Sequence, residues 1–363
     1  MTDQPTLSQI LAPLLEGVAL SQLLKLSFAG IRIDVRANDP ELIASLARYY
    51  RDFRVESGAA AMVVNAVECP PPKLSLPFTL KEREPGKAQV KEGCADLADG
   101  RLVRKVRTDM VFAFGGREHY AFGPCIKNEA QVVNFVNNRY IQRVLHEGGL
   151  LFHSAAVGLN GRCLALAGFA GAGKSTLALH IMRLGTDFIS NDRAMVRHSG
   201  DQLEILGVPK MPRVNPGTVL HNDCLRPVIA DRERAVFEAM PAAELWNLEH
   251  KYDAFIDECF GPARFKLRGR LTLLIILNWQ KNAEPLSIRP VRLRERTDLL
   301  PAFTKDVGLF FEADDPEHEL DFSAEAYLDL LDHCRVVEVT GGVDFEKAAR
   351  EILALLEQDG RFP

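Results

Sequence analysis

One eight-residue stretch constrains this chain more than any other: Gly168-Phe169-Ala170-Gly171-Ala172-Gly173-Lys174-Ser175. It matches the pattern G-x-x-x-x-G-K-[ST] at every fixed position. Apolar residues Leu164-Ala165-Leu166-Ala167 precede it and an amphipathic run from Thr176 to Leu184 follows, so the spacing predicts strand, loop, helix. The residue types have a chemical reason. Gly168, Gly171 and Gly173 let the backbone wrap closely around an anion and turn successive N–H groups inward. The helix that follows adds its positive N-terminal end. Lys174 would reach the β- and γ-phosphates of a nucleotide, and Ser175 would ligate Mg²⁺. Chance would produce such a match in roughly one chain in a hundred of this length. The loop residues Gly168 through Ser175, together with Thr176, are therefore the candidate ATP-binding set.

A phosphate loop needs partners. A short strand, Phe188-Ile189-Ser190, runs into Asn191-Asp192-Arg193. A carboxylate at the end of a strand beside the loop can hold Mg²⁺, directly or through water, which nominates Asp192. The turn Leu159-Asn160-Gly161 is of hairpin type and predicts that Leu150–Gly158 pairs with Arg162–Ala167. That pairing would bring His153 to the loop end of the hairpin, where it could face the phosphates and position or deprotonate an acceptor. The bland alternative is a core histidine with a satisfied ring.

At 363 residues the chain is too long for one ordinary domain, and two are expected. The first, residues 1–148, reads as α+β: a leading helix over Ile10–Leu24, a strand or hairpin over Leu26–Val35, and a helix over Pro40–Tyr50 capped by Asp39. A strand at Ala61–Val67 follows, then loops and edge strands over Leu74–Gly100, strand-like alternation over Arg101–Phe114, and a helix over Gln131–Glu147. The second, residues 149–363, alternates strands and helices and reads as α/β, with Leu271–Trp279 its most convincing core strand. The net charge of -5 gives no global attraction to nucleic acid or anionic lipid. Seven scattered cysteines, never spaced Cys-x-x-Cys, indicate neither a disulfide framework nor a zinc cluster. No secretory pattern opens the chain, and no apolar run approaches the ~20 residues a bilayer span needs. A cytoplasmic protein with no membrane and no nucleic-acid partner is the expectation.

The combination of His153, the glycine loop and Asn191-Asp192-Arg193 resembles the C-terminal kinase domain of HPr serine kinase/phosphorylase. Fifteen positions separate His153 from Gly168 and seventeen separate Lys174 from Asn191, as in that family. Leu203-Glu204-Ile205-Leu206-Gly207-Val208 looks like a further family segment, and Pro290-Val291-Arg292 with Arg294 and Arg296 faintly resembles another. The resemblance is firm over Leu151–Val208, weak beyond it and absent from the first domain; the chain as a whole looks most like HprK-related kinases of the B type. It implies a P-loop kinase fold and a kinase that moves the γ-phosphate of Mg-ATP to a hydroxyl, on a protein serine or a small molecule. It also implies Ser175, Asp192 and Glu204 as metal ligands, and a homo-oligomer. One departure matters: the family's first aspartate, the base for the serine hydroxyl, falls on Asn191, which cannot accept a proton. Either Asp192 or His153 takes that role, or the acceptor differs, or the protein is an ATP-binding regulator or scaffold with little transfer.

Other basic and aromatic segments carry two readings each. Trp246–Asp253 with Arg264 could close over a nucleotide or acceptor, or be a solvated helix. Arg264, Lys266, Arg268 and Arg270, and separately Arg289, Arg292, Arg294 and Arg296, could line a phosphate channel or face water. His318 and His333 lack partners at metal-ligand spacing.

Overall fold

Strands and helices are mixed in both halves of the chain in a computed structural model, which describes residues 4–82, 90–241, 244–245, 248, 250–312 and 320–358. Trp246, Asn247, Glu249 and His318 lie outside the described residues. The contacts divide the chain into two units, Met1–His146 with Val307–Glu319, and Glu147–Asp306 with Leu320–Pro363.

The first unit is built on an eight-stranded sheet. Its strands are β1 (Gln22–Phe28), β2 (Ile31–Ala37), β3 (Met62–Glu68), β4 (Thr79–Leu80), β5 (Glu92–Leu97), β6 (Gly100–Lys105), β7 (Val111–Phe114) and β8 (Glu118–Gly123), in the order β1-β2-β3-β8-β7-β6-β5-β4. Leu24, Leu26 and Phe28 alternate with polar residues on β1, as Ile33, Val35 and Ala37 do on β2, and both sets are buried. The leading helix α1 covers only Leu7–Leu15. The apolar residues at its expected end instead enter β1, where Leu24 pairs with Val35; the buried face of a sheet outweighs helical spacing there. Helix α2 (Pro40–Tyr49) starts as the sequence indicates, with the Asp39 carboxylate accepting from the N–H groups of Glu41 and Leu42. Helix α3 (Glu129–His146) buries Val132, Val133, Phe135, Val136, Ile141, Val144 and Leu145. It also buries Arg139, whose guanidinium lies 4.0 Å from the Phe114 ring centroid and donates to the Phe310 carbonyl.

Nearby, burial and the charge of Arg139 lower the pKa of His119 on β8 to about 3. On unfolding the ring returns to its ordinary value near 6.5, so between those values the unfolded chain binds the extra proton and stability falls as pH falls. Replacing His119 with Gln is expected to remove an acid sensitivity worth up to roughly 3 kcal/mol at pH 4. Urea denaturation at several pH values reads this directly; equal pH slopes for variant and wild type would refute it.

The second unit carries a nine-stranded mixed sheet. Its strands are β9 (Leu150–Phe152), β10 (Ala155–Leu159), β11 (Arg162–Gly168), β12 (Asp187–Ser190), β13 (Ala194–Ser199), β14 (Gln202–Gly207), β17 (Arg268–Leu277), β18 (Ser287–Pro290) and β19 (Arg335–Thr340), with a separate ribbon of β15 (Arg213–Val214) and β16 (Tyr252–Asp253). Strand β17 is the axis. One edge pairs in parallel with β11 from Arg270 to Leu277; the other pairs first with β14, antiparallel, and then with β19, parallel. Its residues Leu273–Leu277 are almost wholly inaccessible, as expected of a central strand covered on both faces.

The run read as one strand over Leu150–Gly158 is two. Strand β9 pairs with β13, β10 pairs with β11 and β12, and the chain steps between them at His153-Ser154. A hydrogen bond of 2.6 Å from the His153 N–H to the Phe303 carbonyl fixes the step. Helix α4 (Lys174–Met182) follows β11, and a closing helix over Phe345–Glu357 packs beside it, with the His180 and Phe345 rings stacked 5.5 Å apart.

Candidate functional site

The glycine loop leaves the end of β11 and enters α4 in a little over one turn of chain. Gly171 and Gly173 sit at φ +80° and +83°, while Ala172 between them does not. Positive φ of this kind is the backbone freedom an anion-holding concavity uses, and the Ala172 N–H itself closes the turn on the Phe169 carbonyl at 3.1 Å. At Gly173 a side chain is also excluded by packing, because a Cβ would lie 2.8 Å from the Phe345 ring. That ring meets Trp279 edge-on at 5.2 Å, and the Trp279 indole N–H donates to the Ala172 carbonyl at 2.8 Å. The loop is thus braced from behind by two aromatic residues that carry no motif signature. Their role is visible only from the parallel pairing of β11 with β17, which brings residue 279 to the loop.

Lys174 folds back over the loop, its ammonium donating to the Gly168 carbonyl at 2.8 Å. Burial lowers its pKa, the Asp192 carboxylate opposes that, and Lys305 reinforces it. The Ser175 hydroxyl donates to Asn191 Oδ1 at 2.6 Å. Thr176 places its hydroxyl 3.3 Å from that of Thr218.

Across from the loop, Asp192 adopts φ +68°, a left-handed conformation that Asp tolerates better than most residues. Its carboxylate lies 3.4 Å from His153 Nε2, 3.6 Å from the Lys305 ammonium and 3.8 Å from Arg193 Nε. Burial alone would raise its pKa; the His153 hydrogen bond and the charges of Lys305 and Arg193 outweigh it and hold the carboxyl well below the usual range. Lys305 had no sequence signal, since it lies 113 positions from Asp192 in a segment without periodicity or motif.

Loop and acidic turn, joined by the Ser175–Asn191 hydrogen bond, both line a cavity of about 530 Å³. Its lining includes His153, every residue from Ala170 to Thr176, Asn191 and Asp192, so the structure gathers nearly all the residues nominated above. Gly168 and Phe169 stand outside the lining, Gly168 serving through its carbonyl and Phe169 exposed at the loop. Glu204 is not part of this group. Its carboxylate is buried on β14 between Arg197, at 3.0 Å, and Arg268, which engages the other oxygen. A carboxylate held by two guanidinium groups is already fully partnered for a structural role. Several members of the two arginine clusters are paired in the same way: Arg264 with Asp187, Arg294 with Glu325, Asp329 and Asp332, and Arg296 with Asp298 and Glu338.

Neither a protein-family model nor a curated protein sequence matches the chain. Among solved structures, the HPr(Ser) kinase/phosphatase from Coxiella burnetii is matched at 13% identity over 57% of this chain and 93% of that one, with a TM-score of 0.28. At that level of superposition the likeness carries no argument for fold or activity. No helix among the described residues is long and apolar enough to cross a membrane.

Proposed function

We propose that the second unit is an ATP-dependent kinase that transfers the γ-phosphate of Mg-ATP to a hydroxyl acceptor. The observation that carries this reading is the cavity in which the Gly171–Thr176 turn, with Lys174 inside it, faces His153, Asn191 and Asp192. Backbone N–H groups and the α4 N-terminus would hold the phosphates, and Lys174 would exchange the Gly168 carbonyl for a phosphate oxygen.

The oxygen donors available for Mg²⁺ are Ser175 Oγ, Asn191 Oδ1 and Asp192. No group of three or more His, Cys, Asp or Glu that could hold a metal is found among the described residues. That donor set suits an ion held mostly by substrate phosphates and water, as Mg²⁺ is, and not an all-protein cage. When bound, the ion would neutralise charge on the phosphates. In the transfer, the acceptor oxygen would form a bond to the γ-phosphorus as the bond to the bridging β–γ oxygen breaks and ADP departs. The hydroxyl proton needs an acceptor. Asn191 has no basic atom, and Asp192, held so far below the usual range, is a weak base. His153, which lines the cavity with Asp192 beside its Nε2, is the better proton acceptor.

Incubation with γ-labelled ATP and Mg²⁺, with and without cell extract, tests the reading. Label on an acceptor supports it; tight ATP binding with no transfer and no hydrolysis would favour the regulatory alternative, which the Asn191 amide motivates. A finer test concerns Asn191 itself. Asn191→Ala removes the acceptor for the Ser175 hydroxyl and is expected to weaken Mg²⁺-dependent ATP binding about tenfold, while Asn191→Asp, which keeps an oxygen there, holds wild-type affinity or exceeds it. Equal affinities for all three proteins would remove Asn191 from the metal end of the site.

A further inference from the structure

Of the oxygen donors named for Mg²⁺, Asp192 is the one already engaged by a cation. Its Oδ1 lies 3.4 Å from His153 Nε2 and 3.6 Å from the Lys305 ammonium, so one oxygen serves both groups. The Lys305 side chain is only 25% exposed. An ammonium so far withdrawn from water needs an anion, and among the described residues the carboxylate it pairs with is Asp192.

The fold fixes Lys305 and His153 along one seam. A 3₁₀ turn over Thr297–Ala302 leads into Phe303, a buried ring stacked on that of Phe152 at 5.4 Å. The Phe303 carbonyl accepts from the His153 N–H at 2.6 Å, and Thr304 forms a bridge with Phe152. The Lys305 backbone hydrogen-bonds the Tyr327 hydroxyl, which itself donates to the Leu151 carbonyl at 2.6 Å. Residues 151–153 and 303–305 are thus tied together, and from that seam both the imidazole and the ammonium reach Asp192.

The chemistry of the shared oxygen follows. A carboxylate beside Nε2 makes that nitrogen the hydrogen-bearing one and leaves Nδ1 to accept a proton. Asp192 stands in a turn with its side chain 46% exposed, where a carboxylate without an anchor would be free to turn to water. An ammonium on the same oxygen, held by the strand seam that carries His153, removes that freedom. It also makes Asp192 a poor ligand for a divalent ion, which would meet the positive charges of Lys305 and Arg193 at close range.

We infer that Lys305 is a positioning residue of the transfer: it commits Asp192 to His153, so that Nδ1 receives the proton of the acceptor hydroxyl, and it leaves Mg²⁺ to Ser175, Asn191 and the phosphates. This rests on the kinase reading above.

The test uses full-length protein, a non-hydrolysable ATP analogue with Mg²⁺, and γ-labelled ATP with water or cell extract supplying the acceptor. Lys305→Met should hold its affinity for the analogue within about twofold, while turnover at saturating ATP falls about tenfold or more. Lys305→Arg should restore most of that rate, and melting temperatures show that both variants are folded. Asp192→Asn should likewise bind the analogue within about twofold of wild type. A further readout needs no turnover. In ¹⁵N-histidine spectra, with His153→Gln identifying the resonances, the wild-type imidazole should carry its hydrogen on Nε2, and Lys305→Met should lose that preference. A Lys305→Met protein with undiminished turnover would overturn the inference. So would one that loses analogue affinity in step with turnover, since Lys305 would then be a phosphate ligand, and so would an Asp192→Asn protein about tenfold weaker for the analogue, since Asp192 would then hold the metal. Wild-type protein that binds the analogue yet turns over no ATP would overturn the kinase reading instead, and the imidazole spectra would still judge the hold of Lys305 on Asp192.

Discussion

Lys174→Ala is expected to weaken Mg-ATP binding about 10- to 100-fold, and to slow phosphate transfer by about 10² to 10³ beyond that. The ammonium is the only side-chain cation built into the loop, and its bond to the Gly168 carbonyl keeps it over the turn. A charged donor of this kind is worth about 1.5–3 kcal/mol to a bound anion, and more where charge builds up in the transition state. The same substitution should leave stability unchanged or improve it, because burial already disfavours the ammonium and alanine is the better helix former. The two readouts therefore move apart, which a merely structural lysine would not produce. Fluorescence titration with an ATP analogue beside a thermal melt measures both. A variant that keeps wild-type affinity would remove Lys174, and with it the phosphate loop, from the function.

Gly207→Ala should be strongly destabilising for a single added methyl. A Cβ there would lie 1.8 Å from the Ile189 carbonyl oxygen and 2.8 Å from its carbon, both backbone atoms of β12, which approaches β14 without pairing with it. Neither can rotate away, so β14 and β12 must separate. Overpacking of this kind costs typically 1–3 kcal/mol and sometimes more; with backbone on both sides the expectation is about 3 kcal/mol. For a unit of this size that corresponds to a melting temperature lower by roughly 6–12 °C. Binding should suffer as well, since Ser190, Asn191 and Asp192 continue from the strand that is displaced. Gly200→Ala is the control: it sits at φ +59° with no atom near its Cβ position, and strain alone should cost about 1 kcal/mol. Equal melting temperatures for the two variants would show that β12 and β14 are not in the close contact described.

Both predictions concern residues that the sequence marks very unequally. Lys174 stands in a motif whose every position has a local chemical meaning, whereas Gly207 is one glycine among 26. Short-range patterns were legible wherever local chemistry sufficed. The Asp39 cap and Pro40 start α2, the Asn160-Gly161 turn joins β10 to β11, and the glycine loop sits between a buried strand and a helix. Helical spacing failed after Leu15, where pairing with β2 claimed the same leucines for a strand, and alternation failed to show the step at His153.

The chain's own order of residues determined the loop proposed to hold phosphate, because an anion cradle is made from consecutive backbone groups and one adjacent lysine and serine. Tertiary structure alone decided what that cradle faces. It put the Asn191 amide on Ser175, set Lys305 against Asp192, drew Glu204 away into an arginine pair, braced the loop with Trp279 and Phe345, and brought Lys210, Arg213 and Lys251 into the same cavity lining. Those residues come from strand ends and turns far apart in sequence. What brings them together is the register of a mixed sheet, set by long-range burial that no local window of the chain contains.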